Sequence, residues 1–285
     1  MSFNIPTYRP LLPNQLSLLS VRLSPLLLLL SILLSSACSI KENRSACPCH
    51  LILDVSGLSG ERFDTLEVLL QNGAAPALRS RWSLLENGDG LIRMDVSKQW
   101  WDLNVCAMEN GSLWLSDSQS PRMLIPPGQQ CPPLYLYARE LDATGEELVE
   151  RVVLHKSFCT LHIRMLEADP SQPYPFSLRI SGDVDGYDSA GKPREGRFDA
   201  AAYPTQAGEC SVRVPRQKDD SLELLLREGE ETIATFALGR YIVSGGYDWN
   251  APDLEDVQVS IDCAALSLHL QVKNWTETYH FDVEI

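Results

Sequence analysis

Eight cysteines hold most of the reactive chemistry in this chain: Cys38, Cys47, Cys49, Cys106, Cys131, Cys159, Cys210 and Cys263. A thiol can be acylated, oxidised to a disulfide or bound to a metal, and its surroundings decide among these. Cys47-Pro48-Cys49 lacks the two-residue spacer of a zinc site, and none of the five histidines forms a paired ligand motif, so no metal is expected. Cys159 alternates with Leu161, Ile163 and Met165, which is the position of a small core residue. Cys38 stands apart. It follows the uncharged, mostly apolar run 26–34 and the small residues Ser35, Ser36 and Ala37, and a polar stretch begins directly after it.

Other chemical patterns fall short of a site. Asp183, Asp185, Gly186 and Asp188 form part of a calcium loop, but Arg194 stands where the bidentate glutamate belongs, and turn chemistry between strands accounts for the cluster. There is no Gly-x-Ser-x-Gly elbow, phosphate loop or His-Glu-x-x-His, and no carboxylate pair stands out among 38 acidic residues. Trp100-Trp101 and Trp114 have the makings of a sugar-stacking platform or of core, and Trp82, Trp249 and Trp275 share that ambiguity. The expectation is a protein without catalytic residues, cofactor or metal.

The segment before Cys38 carries only Arg9 and Arg22 as charges, and its apolar core is short for a bilayer span. Residues 1–37 therefore read as a removable export signal. A cysteine directly after small residues in such a signal resembles the lipobox of bacterial lipoproteins. That likeness implies a Cys38 that receives a diacylglycerol and becomes the mature N-terminus. The alternative is ordinary cleavage after Ala37, leaving Cys38 a plain thiol. Acylation leaves seven other cysteines, an odd number, so at least one stays free or pairs between molecules. Spacing assigns no connectivity; Cys106 with Cys131 is the pair to look for.

Removing the signal leaves 22 basic against 38 acidic residues, a net charge of −16. Such a chain repels phosphate backbones and anionic head groups, which excludes nucleic acid as a partner. Acyl chains on Cys38, at roughly 0.8 kcal/mol per buried CH₂, are then the tie to a membrane.

These residues must be positioned by strands. Leu266, Leu268, Leu270 and Val272 alternate with Ser267, His269, Gln271 and Lys273; Tyr279, Phe281, Val283 and Ile285 alternate with His280, Asp282 and Glu284. Weaker alternation marks 50–56, 66–70, 91–96, 102–107, 134–139, 147–155, 158–166, 176–181, 210–214, 222–227, 232–238 and 257–261, with Gly, Pro, Asn and Asp clusters between them. No long amphipathic helical pattern competes. About a dozen short strands exceed one seven-stranded sandwich, so an all-β chain of two tandem sandwiches is expected after the signal. The divisions expected are 1–37 signal peptide, 38–48 leader, 49–146 first domain and 147–285 second domain.

The second half carries a family likeness. GDVDGYDSAGKPREGRF at 182–198, GYDWNAPDLEDVQVSID at 246–262 and Lys273-Asn274-Trp275 resemble the Mfa-type fimbrial anchor proteins of type V pili. These are fimbrillin-related lipoproteins of Gram-negative anaerobes. The opening is similar too: Arg44, then Cys47-Pro48 and the apolar stretch 51–55. The resemblance implies two transthyretin-like β-sandwich domains, acylation of Cys38, and a non-enzymatic role. That role is to hold the base of a fimbria on the outer membrane and assist its assembly or length control. Its partners would be pilin or accessory subunits, met by strand exchange. Tyr279, Phe281, Val283 and Ile285 would form a donated terminal strand or an internal strand of the second domain. A rival from another class is a surface lipoprotein that binds a glycan or host protein and has no polymer partner.

Overall fold

Alternating apolar side chains become strands along nearly the whole described chain. The computed structural model describes residues 44–60, 62–73, 78–86, 88–108, 114–115, 122–166, 175–262, 267–272 and 275–280. In the first half these form β1 (Cys49–Asp54), β2 (Thr65–Gln71), β3 (Leu78–Ser83), β4 (Leu91–Val96), β5 (Trp100–Met108), β6 (Trp114–Leu115), β7 (Arg122–Leu124), β8 (Leu134–Asp142), β9 (Glu147–Arg151) and β10 (His155–Lys156). The second half adds β11 (Phe158–Leu166), β12 (Phe176–Tyr187), β13 (Pro193–Ala202), β14 (Glu209–Pro215), β15 (Glu223–Glu228) and β16 (Glu231–Phe236). Helix α1 (Leu238–Ser244) precedes β17 (Val257–Asp262), β18 (Ser267–Val272) and β19 (Trp275–His280). The all-β expectation holds. Residues 47–285 form one compact unit; within 1–46 only the helical turn Arg44–Ala46 is described.

Hydrogen bonding sorts the strands into four sheets, ordered β4-β1-β9, β10-β8-β5-β2-β3, β14-β11-β17-β18-β19 and β16-β15-β12-β7-β6, with β13 on the other side of β12. The inward rows are apolar: Leu51 and Leu53 of β1, Leu66, Val68 and Leu70 of β2, and Leu161 and Ile163 of β11 are nearly inaccessible and belong to one apolar cluster. Polar partners alternate with them, as a half-buried strand requires.

Two crossings complicate the division expected at 146/147. β9 follows that point, yet it pairs in parallel with β1, Leu51 opposite Leu148. β7 precedes it, yet pairs with β12. The change of sheet set along the chain falls at Ser157, between β10 and β11. The terminal strand also begins earlier than the pattern at 279–285 indicates, because Trp275 is already opposite Val272. Alternation of apolar residues does not register the threonines and glutamate that open this strand.

Candidate functional site

Both family-like motifs converge where the two sheet sets meet. Tyr187, at the end of β12, inserts among Leu69, Cys106, Met108, Met123, Leu134 and Leu136, a second apolar cluster drawn from β2, β5, β7 and β8. Its hydroxyl donates to the Ser157 carbonyl and accepts from Arg216 N–H at 3.0 Å. Burial pushes the phenol well above its ordinary pKa, so it remains a donor. Arg216 reaches across to the carbonyls of Trp249, Ala251 at 2.7 Å and Pro252 at 3.0 Å. Three acceptors for one guanidinium fix the 249–252 turn against the junction.

That turn then grips 155–160. Asp253 accepts from Lys156 N–H at 2.8 Å and pairs with His155 at 3.1 Å. Asp256 accepts from Lys156 Nζ at 2.6 Å and Thr160 N–H at 2.7 Å, and Leu254 N–H donates to the Lys156 carbonyl at 3.0 Å. Burial opposes the charged form of both carboxyls, but the donors from Lys156 and from His155 or Thr160 outweigh it and hold both below the ordinary range. Tyr247, whose hydroxyl donates to the Glu255 carbonyl at 2.7 Å, stacks edge-on against Trp249. The motif at 246–262 is thus a clamp on the connecting segment.

The motif at 182–198 supplies the other jaw. A Cβ on Gly186 would lie 2.0 Å from the Met123 carbonyl, so only glycine lets β7 close onto β12. At Gly191, φ is +74° and a Cβ would meet Ala138 and Asn104 at 2.9 and 3.1 Å, while Asn104 Nδ2 donates to the Ser189 carbonyl at 3.3 Å. Two of the three aspartates of the supposed calcium loop are spoken for: Asp185 forks onto Arg194, and Asp188 caps the turn N–H groups of Ala190 and Lys192. Cys159 is fully buried, its thiol pushed up to about 12. Cys106 and Cys131 are not bridged to each other; they lie in separate buried clusters. The tryptophans divide: Trp101 and Trp249 are core at 4% and 5% exposure, whereas Trp100 is 52% exposed.

The chain ends bear on strand exchange. β1 is enclosed between β4 and β9, with Cys49, Leu51 and Leu53 inaccessible. β19 pairs with β18 only, among the described residues, with Tyr279 opposite Leu268. Cys38, Phe281, Val283 and Ile285 lie outside the described residues. Sequence reasoning missed the clamp because its bonds join residues about 100 positions apart; only the paired aspartates of the turn hinted at a fixed loop.

No protein-family model matches the sequence, and no curated protein matches it. Solved structures do match. The fimbrial anchor protein Mfa2 from Porphyromonas gingivalis superposes with a TM-score of 0.55 at 11% identity, over 82% of this chain and 100% of that one. A candidate adhesin from Bacteroides ovatus gives 0.57 at 11% identity, covering 82% and 95%. A candidate polysaccharide-binding protein from Bacteroides thetaiotaomicron gives 0.57 at 11%, covering 81% and 98%. The likeness to Mfa-type proteins expected from the motifs is therefore present in the fold.

Proposed function

We propose that the chain is an outer-membrane lipoprotein, tied to the bilayer through acyl chains on Cys38, that anchors the base of a fimbria and assists its assembly or length control. The role is structural, not enzymatic. The observation that carries it is a fold shared with a fimbrial anchor over that protein's entire length. Support for two load-bearing domains comes from strand pairing, which keeps β1–β5 and β8–β10 in two sheets and β11–β19, together with β6 and β7, in two others, with the joint at Ser157. The bonds from 253–256 to 155–160 tie that joint together, which supports a load-bearing reading.

Contact with pilin or accessory subunits proceeds by strand addition, in which main-chain bonds give affinity and alternate side chains set register. β1 already fills its slot, so this chain offers a strand through Tyr279, Phe281, Val283 and Ile285. Fatty-acid labelling of the wild type and Cys38→Ala, scored with fimbria retention, tests the reading. Label in the wild type only, with fimbriae shed by the variant, is expected. An unlabelled wild type, or a variant that keeps its fimbriae, overturns it.

A further inference from the structure

A row of neutral hydrogen-bonding residues crosses four strands of one sheet. In β14-β11-β17-β18 the register lines up Ser211, His162, Gln258 and Gln271 as successive cross-strand partners. The alternating residues Leu161, Ile163, Val257, Val259, Leu268 and Leu270 are buried, so the row lies on the outward face. Ser211, Gln258 and Gln271 are exposed and His162 is half-buried. Strands are about 4.8 Å apart, so four positions span about 14 Å. At the β14 side the row opens into a groove of about 490 Å³ lined by His162, Arg164, Glu209, Ser211 and Gln258. That volume suits a small-ligand site.

The groove is already polar and loosely held. His162 Nδ1 and Ser211 Oγ are 3.0 Å apart, and Arg164 faces Glu209 at 4.0 Å, too long for a hydrogen bond. Elsewhere in this acidic chain residues on different strands pair charges: Arg79 and Arg81 with the buried Glu67, Arg139 with Glu150, Arg179 with Asp199. The row itself contains no carboxylate, ammonium or guanidinium group, and the charges in the groove at its end, Arg164 and Glu209, offset each other. Row and groove therefore carry no net charge for a polyanion and no aromatic anchor for an apolar partner. Hydroxyl, amide and imidazole groups both donate and accept, which matches a ligand whose own surface is uncharged hydroxyls.

We propose that this row and groove bind a neutral saccharide chain lying across the strands, with its terminal sugar between β11 and β14. The proposal rests on the sheet face and is independent of the anchoring reading. The test passes the full-length chain in detergent over immobilised yeast mannan, laminarin and dextran, with heparin as the charged comparator. Retention on at least one neutral polysaccharide is expected, weakened at least tenfold in Gln258→Ala/Gln271→Ala at an unchanged thermal midpoint. Trp100→Ala, which removes the exposed indole of another sheet, leaves retention intact. Retention on heparin alone or on no probe, undiminished retention in the double variant, or loss through Trp100→Ala overturns the proposal. Fimbria retention scored in the same strains reports on anchoring alone.

Discussion

The first and last described strands occupy opposite situations. β1 has a neighbour on each side and buries Cys49, Leu51 and Leu53 completely, whereas β19 has one neighbour among the described residues and lies at the end of its sheet order. Removing a central strand breaks two ladders and opens a core; removing an edge strand breaks one ladder and leaves a new edge. The asymmetry teaches a direction: a subunit whose first strand is sealed in place can lend a strand more easily than it can accept one there. Arg44 precedes β1 by five residues, so a cut after it would leave β1 with the rest of the chain.

The comparison breaks or stands on two deletions, which carry the largest expected effect. Removing 49–54 is expected to abolish cooperative folding, as judged by far-UV and near-UV circular dichroism. Removing 275–285 is expected to leave a single cooperative transition and to eliminate cross-linking to pilin subunits. Equal tolerance of the two deletions would end the argument. A finer version is Leu51→Ala, expected to cost about 2–5 kcal/mol in guanidinium unfolding because Leu51 is wholly buried.

The joint should be nearly as sensitive as β1, since Gly186 and Tyr187 make buried contacts there with β7 and with the cluster from β2, β5 and β8. Gly186→Ala forces a methyl against the Met123 carbonyl, and backbone cannot swing aside as a side-chain tip can. A loss of about 3 kcal/mol is expected, the upper part of the overpacking range. Tyr187→Phe keeps the ring in its cluster but strands the Ser157 carbonyl and the Arg216 N–H. About 2 kcal/mol is expected from that pair of unsatisfied buried groups. Chemical denaturation measures both, and a neutral Tyr187→Phe would show that apolar packing alone holds the joint.

Legibility in the sequence followed the same division between local and distant causes. β4 and β11 coincide with the alternation at 91–96 and 158–166, because one face of each meets only apolar neighbours. β13 escaped notice: its sequence Pro193–Ala202 alternates charge rather than hydrophobicity, and Arg194 and Asp199 are satisfied by Asp185 and Arg179 on β12. β3 is similar, with Arg79 and Arg81 both answering Glu67 from the neighbouring strand. Helix α1 has seven residues, too few for a 3.6-residue period to emerge. The parallel partnership of β1 with β9 links residues nearly 100 apart and leaves no local mark. Family-like motifs pointed to the right segments without revealing that both serve the joint.

The smallest expected effect separates the electrostatic share of the clamp from the rest. Asp253 and Asp256 both titrate below the ordinary carboxylate value, near 4, when the chain is folded. A carboxylate with a depressed folded pKa adds stability above its unfolded pKa, and that stability is lost as the pH falls through the folded value. Their side chains are 64% and 38% exposed, so solvent screens both, and the pair is expected to contribute within about 1 kcal/mol. Asp54, Asp89, Asp142 and Asp219 are depressed as well, so the pH dependence of the wild type alone cannot isolate the clamp. The difference between wild type and Asp253→Asn/Asp256→Asn can. At pH 7 the variant should melt slightly lower, and the gap should close as the pH is lowered below the ordinary carboxylate range, where the wild-type carboxyls take up protons and lose the charge that Lys156 and His155 recognise. A gap that stays constant over that range would mean that the clamp holds through hydrogen-bond geometry alone, with its charges incidental.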